Sequence, residues 1–301
     1  MSLYCFPRYN RHMRCDLHVH TRHSGMCTMP VLRRLCRESY NDPLAVYEKL
    51  KSAGMDLVTI TDHDSIDAVE PLRSRPDFFL SEEVTCTLPS GTELHIGVYD
   101  ITERDHIELQ RRRRDFDSLF AWLIDSSLFF SANHVFSSLT GRRTLEDFAL
   151  FEHAFPAIET RNGHMPARNN RAAAMLADRA ARVEVGGSDA HAMASVGCAW
   201  TAVPGARNRL EYFDGLRHGR GRVRGETGGW YKLTREVLAI GCGMVRDDPR
   251  TLPIAALAFL VPVITLGNYV AENIFVHYWL ARYLRSDPGR SCFTRIDEVR
   301  A

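Results

Sequence analysis

The sequence has no Cys-x-x-Cys pair. Its eight cysteines are scattered over 301 residues, which argues for reduced thiols in a cytosolic setting rather than a disulfide frame. It lacks a charge excess of either sign. Lys and Arg number 38, Asp and Glu 37, so the net charge is +1 and no global field draws the chain to nucleic acid. Met1 to Arg14 contains no apolar h-region, so no secretory signal is expected. There is no internal repeat and no low-complexity tract. The length suits one large domain plus an appendage, since α/β barrels run to ~250 residues as a unit. What the chain does have is histidine, thirteen of them.

Two of these lie in Cys15-Asp16-Leu17-His18-Val19-His20-Thr21. Leu17 and Val19 alternate with His18 and His20, so a strand here points both imidazoles to one face. Paired imidazoles at a strand end suit a metal ion better than a core, and Asp16 is placed to orient one of them. The bland reading is two surface histidines beside a turn. Further on, Pro43 to Gly54 reads as a helix, with Pro43 in its first turn and Gly54 at its end. Leu57 to Thr61 is an apolar, β-branched run, the mark of a strand buried on both faces, and it ends in Asp62-His63-Asp64.

The pattern recurs. Phe78 to Leu80 leads to Glu82-Glu83, and Leu94 to Tyr99 carries His95 near its start. A charged helix from about Glu103 to Asp125 follows. Leu128 to Ala132 ends in Asn133-His134, and Ala157 to Glu159 ends in Arg161-Asn162-Gly163. A helix from about Pro166 to Arg182 precedes Val183 to Gly187, which ends in Ser188-Asp189-Ala190-His191. Strands alternating with helices and ending in ionisable groups are the grammar of a β/α barrel, where chemistry sits at the C-terminal ends of the strands. So many His, Asp and Glu at strand ends favour a metal site over coincidence.

Taken together, Asp16 to Thr21, Thr61 to Asp64, Glu83-Val84-Thr85, His95-Ile96-Gly97, Asn133-His134 and Gly187 to His191 resemble the polymerase and histidinol phosphatase (PHP) superfamily over about residues 13 to 225. The resemblance implies a distorted seven-stranded β/α barrel and a metal-dependent phosphoesterase with two or three ions at its mouth. Carried over residue by residue, it implies that His18, His20, Glu83 and Asp189 hold one ion. Glu83 then bridges to a second, completed by His95 and His134, and His63 and His191 serve a third. The family's acid about five residues past the second histidine falls here on Gly25, within Arg22-His23-Ser24-Gly25-Met26-Cys27. The third ion therefore lacks an anionic ligand, with His23 and Cys27 as nearby substitutes. The family's usual His-Pro is His134-Val135.

Mixed imidazole and carboxylate ligands suit Zn, Mn or Fe. Two such ions can share a hydroxide and clamp a phosphoryl group for in-line attack, with no serine or cysteine nucleophile. Asp62 and Asp64 flank His63 and are expected to support the ligands from behind. Arg22, His23, Arg142, Arg143, Arg161 and Asn162 lie after the expected strands. Arg22, His23, Arg161 and Asn162 are the candidates for holding a substrate phosphate, against the reading of ordinary surface and turn residues. Arg111 to Arg114 reads as a solvated helix face.

Beyond Gly225 the composition changes. Gly219 to Gly229 reads as a linker. Thr251 to Ala271 is uncharged for twenty-one residues, long enough to cross a bilayer, but Pro262 and Gly267-Asn268 interrupt it. A second apolar piece, Ile274 to Leu284, is too short to span, so the expectation is a C-terminal helical segment over 226–301 in which the two apolar pieces form a helical hairpin that packs on the barrel or on a second subunit. Membrane contact through 251–284 is the alternative. The expected function is hydrolysis of a phosphate ester on a nucleotide, short oligonucleotide or sugar phosphate, by a cytoplasmic or membrane-associated enzyme. The competing class is a metal-stabilised binding or regulatory module without turnover.

Overall fold

The computed structural model of the chain describes residues 12–28 and 32–286. The expectations placed on Met1 to Arg11 and on 287–301 lie outside the described residues. The fold is mixed α/β. Its elements are β1 (His12–Cys15), α1 (Pro43–Ser52), β2 (Ser81–Thr87), β3 (Glu93–Tyr99), α2 (Glu103–Arg112), α3 (Phe116–Asp125), β4 (Phe129–Ala132) and α4 (Leu145–Ala154). They continue with β5 (Ala157–Asn162), α5 (Ala167–Arg179), β6 (Val183–Gly187), β7 (Ala199–Pro204), α6 (Arg209–Arg217), β8 (Arg222–Gly225), α7 (Trp230–Asp247), α8 (Leu252–Ala255) and α9 (Val261–Arg285).

Among the described residues the strands form two sheets. One has the order β2-β3-β4-β5-β6, and the other β1-β7-β8. In the larger sheet β2, β3 and β4 pair antiparallel, while β4, β5 and β6 pair parallel. The expected strands at residues 15–21 and 57–61 are only isolated bridges, Val19 with Ala190 and Val58 with Phe78. The cause is local. Side chains take the amides that a ladder would use: Asp16 accepts from His18 N, the Thr61 hydroxyl from Val19 N and Asp62 from Thr21 N. The segment still runs extended between its neighbours, because Thr61 N donates to Val19 O and Asp189 N to His18 O. It closes on β6 at Gly187, where a Cβ would meet His18 N at 2.2 Å; only glycine permits that approach.

Other boundaries differ from the pattern for identifiable reasons. The single charged helix is two, because Asp115 caps a new start by accepting from Ser118 N. The presumed linker contains β8, antiparallel to β7. Pro262 sits in the first turn of α9 rather than in mid-helix, and α9 runs unbroken through Gly267 and Asn268. Pro43 and Gly54 behave as read: Asp42 caps α1, and Gly54 has φ +81° just beyond its end.

The main core lies between β3, β4 and β5 and helices α2 to α5. Val276 and Tyr283 of α9 belong to it, with Trp279 and Leu280 packed alongside. Glu272 of α9 is buried against the body. It accepts hydrogen bonds from Ser138 N at 2.8 Å, Ser138 Oγ at 2.6 Å and Asn169 Nδ2 at 2.7 Å. The opposite surface of the C-terminal helices is open: Leu252, Phe259, Val263, Ile264 and Ile274 are exposed. Pro249–Arg285 is long and apolar enough to cross a membrane, by length and composition, and only 6% of its most apolar window is buried.

Candidate metal centre

His18 and His20 leave their extended segment on one face, as the period of two requires. They meet Glu83 on β2, His95 on β3, His134 just after β4, and Asp189 and His191 just after β6. His63, bridged to Glu83, completes the ring of donors. Four groups each bring three donor atoms within 4.8 Å of one another: His18-His20-Asp189, His18-Glu83-His134, His63-Glu83-His95 and His20-His63-His191. All eight residues assigned to ions from the sequence are thus brought together.

Glu83 lies at the centre and is fully buried. Its Oε2 stands 3.2 Å from His18 Nε2, 3.4 Å from His20 Nε2 and 3.3 Å from His63 Nδ1. Its Oε1 stands 3.3 Å from His134 Nε2 and 3.7 Å from His95 Nδ1. The two oxygens therefore face different sets of imidazoles. Yet Glu83 Oε2, His63 Nδ1 and His95 Nδ1 are buried without a hydrogen-bond partner. Buried polar groups are normally paired. Six imidazoles and two carboxylates crowded together, with several of their buried polar atoms left without a hydrogen-bond partner, fit divalent cations.

The carboxylates set up a field that favours positive charge at this centre. Burial opposes charge on His18, but Asp189, Glu83 and Glu159 outweigh it and raise its pKa well above the usual value. For Glu83, burial is overcome by His18, His95 and His63, which hold it well below the carboxylate range. Burial lowers His191 to about 3 and brings His63 well below its usual value. Both are therefore neutral at physiological pH, the form that ligates.

The backbone is shaped for this geometry. His134 and Asp189 have φ +30° and +51°, uncommon for residues with a Cβ and frequent at functional sites. Each is held there: His134 N donates to Glu159 Oε2 at 3.0 Å, and Asp189 N to His18 O at 2.6 Å.

Two solved structures share the architecture. One is a two-domain protein from Bacteroides vulgatus containing a predicted PHP-like metal-dependent phosphoesterase. It is 15% identical with a TM-score of 0.56, over 77% of this chain and 71% of that one. The other is PsfC from Pseudomonas syringae, 17% identical with a TM-score of 0.51, over 78% of this chain and 99% of that one. A family model described as PHP-associated matches residues 167–220, which include β6 and the Asp189-His191 segment. This is the fold of the PHP superfamily. No curated protein matches the chain.

Around these donors lies a set of residues that the sequence did not assign to the site. Glu159 Oε1 is 2.7 Å from His18 Nδ1, so His18 presents Nε2 to the centre. Asn133 Nδ2 donates to Glu83 Oε1 at 2.9 Å. Ser24 Oγ joins His20 Nδ1 at 3.0 Å to Asp62 Oδ1 at 2.6 Å. His164 pairs with Glu236 of α7 at 2.9 Å, and its ring lies 6.1 Å from that of His191. Burial opposes the His164 charge, but Glu236 raises its pKa to about 9. Glu38 Oε2 is 3.3 Å from His63 Nε2. Glu159 sits at the end of an expected strand, and that position was its one visible signal. Glu38 carried none, since its loop has no periodicity.

The remaining candidates fall in different places. Asp62 is buried and braces Thr21 and Ser24. Asp64 accepts from Thr85 N and pairs with Arg113 at 3.1 Å. Asn162 is buried, and its Nδ2 donates to Glu159 and Asp189. Arg22 is exposed and paired with Asp42. His23 is half-buried, with its amide on Thr21 Oγ1. Arg161 is half-buried, and its Nε has no partner. Arg143 is buried and committed to Val135 O, Glu93 O and Thr140.

Proposed function

We propose that the chain is a metal-dependent phosphoester hydrolase acting on a nucleotide, a short oligonucleotide or a sugar phosphate. The observation that carries this is the convergence of eight imidazole and carboxylate donors in four overlapping groups, two of which share Glu83, whose Oε2 is buried without a hydrogen-bond partner. In this reading His18, His20, Glu83 and Asp189 hold one ion, Glu83, His95 and His134 a second, and His63 and His191 contribute to a third. Zn, Mn and Fe all suit these ligands. Bound there, such ions supply positive charge to phosphoryl oxygens and acidify water. We read the two bridged sheets as a distorted seven-stranded barrel over 13–225, with 226–301 as a C-terminal helical unit.

The chain's own residues do the rest. Glu159 holds the His18 ring so that Nε2 faces inward. Asp62, through Ser24, does the same for His20. Asn162 donates to both Glu159 and Asp189 and so keeps the Asp189 carboxylate turned to the ring of histidines. His63, His95 and His191 are part-exposed and form the open side of the site, where substrate enters. Arg161, at the end of β5, is the guanidinium we assign to a phosphate oxygen.

The exposed side of α8 and α9 is proposed to lie on a lipid surface. The uncharged run 251–271 carries Arg250 before it and Arg282 and Arg285 after it, the arrangement of an apolar segment with charged ends in the interface. Flotation with liposomes tests this; a soluble dimer that ignores liposomes would assign the surface to a second copy instead.

The functional test is release of phosphate from phosphomonoester probes, and of the alcohol from phosphodiester probes, by the chelated chain with Mn²⁺ restored. Metal uptake without turnover would leave the alternative, a metal-stabilised binding module.

A further inference from the structure

The third cluster, His20, His63 and His191, consists of imidazoles alone. A dication held by imidazoles alone lacks the charge compensation that a carboxylate provides. The expected place for that acid is Gly25, which has no side chain. The loop that carries Gly25 turns back on itself, however. Met26 bridges Arg37, Cys27 N donates to Cys36 O at 2.9 Å, and Glu38 N donates to Gly25 O at 3.1 Å. The residue hydrogen-bonded to Gly25 from the returning arm is thus an acid. Its Oε2 lies 3.3 Å from His63 Nε2.

The geometry points to Glu38 as the carboxylate that completes a third cation position with His63 and His191. This rests on the metal-dependent reading above. The position is built rather than incidental. Ser39 Oγ and Asn41 Nδ2 both donate to His20 O, which ties the segment after Glu38 to the first histidine pair. Tyr40 packs on Gly243 of α7, so closely that a Cβ there would meet the ring at 2.6 Å. The backbone at Glu38 is therefore anchored on both sides. On the other side of His63, Nδ1 is buried without a hydrogen-bond partner and faces the fully buried Glu83 Oε2, which has none either. The two substitutes suggested by the sequence stand elsewhere. Cys27 lies across the loop from Cys36, to whose carbonyl its amide donates, and the His23 amide is held on Thr21 Oγ1. The acid reaches the ion from thirteen residues further along the chain than Gly25, which no local spacing rule anticipates.

The test is metal content and affinity, which need no turnover. Full-length protein, stripped and titrated with Zn²⁺ or Mn²⁺ alone, should take up about three equivalents in the wild type and about two in Glu38→Gln. The weakest binding step of the wild type should be the one that disappears. Glu38→Asp, one methylene shorter, should keep the third step with affinity reduced by roughly 10- to 100-fold. It also separates loss of the ligand from loss of the fold if Glu38→Gln is unstable. Three equivalents of unchanged affinity in Glu38→Gln would overturn the assignment, as would a wild type that stops at two. A wild type that takes up no ion would instead sink the hydrolase reading itself.

Discussion

Glu159→Gln probes the site through a residue that touches no proposed ion. The wild-type carboxylate accepts on both oxygens. Oε1 takes His18 Nδ1 at 2.7 Å, and Oε2 takes His134 N at 3.0 Å and Asn162 Nδ2 at 2.9 Å. A glutamine has one acceptor and one donor in the same volume. If its oxygen faces His134 and Asn162, its NH₂ faces His18 Nδ1. His18 must then carry its proton on Nε2, the atom 3.2 Å from Glu83 and 3.4 Å from Asp189. If the amide is turned round, two buried donors lose their acceptor. Hydrogen bonds to charged groups contribute about 1.5–3 kcal/mol each, so neither orientation is cheap. Supporting residues of this kind typically cost 10- to 100-fold in metal affinity, or about 1.4–2.8 kcal/mol. Competition titration of the reconstituted protein against a chromophoric chelator reads this directly. A folded Glu159→Gln variant with unchanged affinity would refute the argument that Glu159 sets the His18 tautomer.

Three further outcomes are expected. Glu83→Ala should lose more than one equivalent of metal together with activity, because both carboxylate oxygens face ligands; elemental analysis showing full occupancy would reject the bridging role. Glu272→Ala should lower stability by about 2–4 kcal/mol, since it leaves Ser138 and Asn169 without their buried acceptor; an unchanged denaturant midpoint would mean that α9 is not part of the folded body. The folded pKa of His164 is raised, so its pairing with Glu236 stabilises fully below about 6.5 and is lost as pH rises through about 9. Melting curves of His164→Gln should therefore lack that alkaline loss, and identical pH profiles for variant and wild type would contradict it.

The donors were legible because their residue types are rarely spent in cores and because most of them follow an apolar run. His18 and His20 also carry a period of two. What surrounds them was not. Glu159, Asn133 and Ser24 act through contacts between residues distant in sequence, and a carboxylate at a strand end looks the same whether it binds an ion or orients a histidine. The strands at 15–21 and 57–61 read correctly as extended and buried. They were not regular, because Asp16, Thr61 and Asp62 replace ladder partners with side-chain oxygens. The tail was legible as apolar. That α9 would give Val276 and Tyr283 to the same core as Phe148 and Phe151 was not, since hydropathy does not tell a lipid-facing side from a packed one. One consequence is that deleting 251–301 removes part of the core as well as an attachment surface.

The most direct test of the central claim is phosphoester cleavage by purified full-length chain, read as phosphate from monoesters and as released alcohol from diesters, first chelated and then supplied with Mn²⁺ or Zn²⁺, beside Glu83→Ala. The account predicts turnover that vanishes on chelation, returns with the metal and is absent from the variant. Turnover that persists without metal, or none from a wild type loaded with its ions on any phosphomonoester or phosphodiester tried, would contradict it.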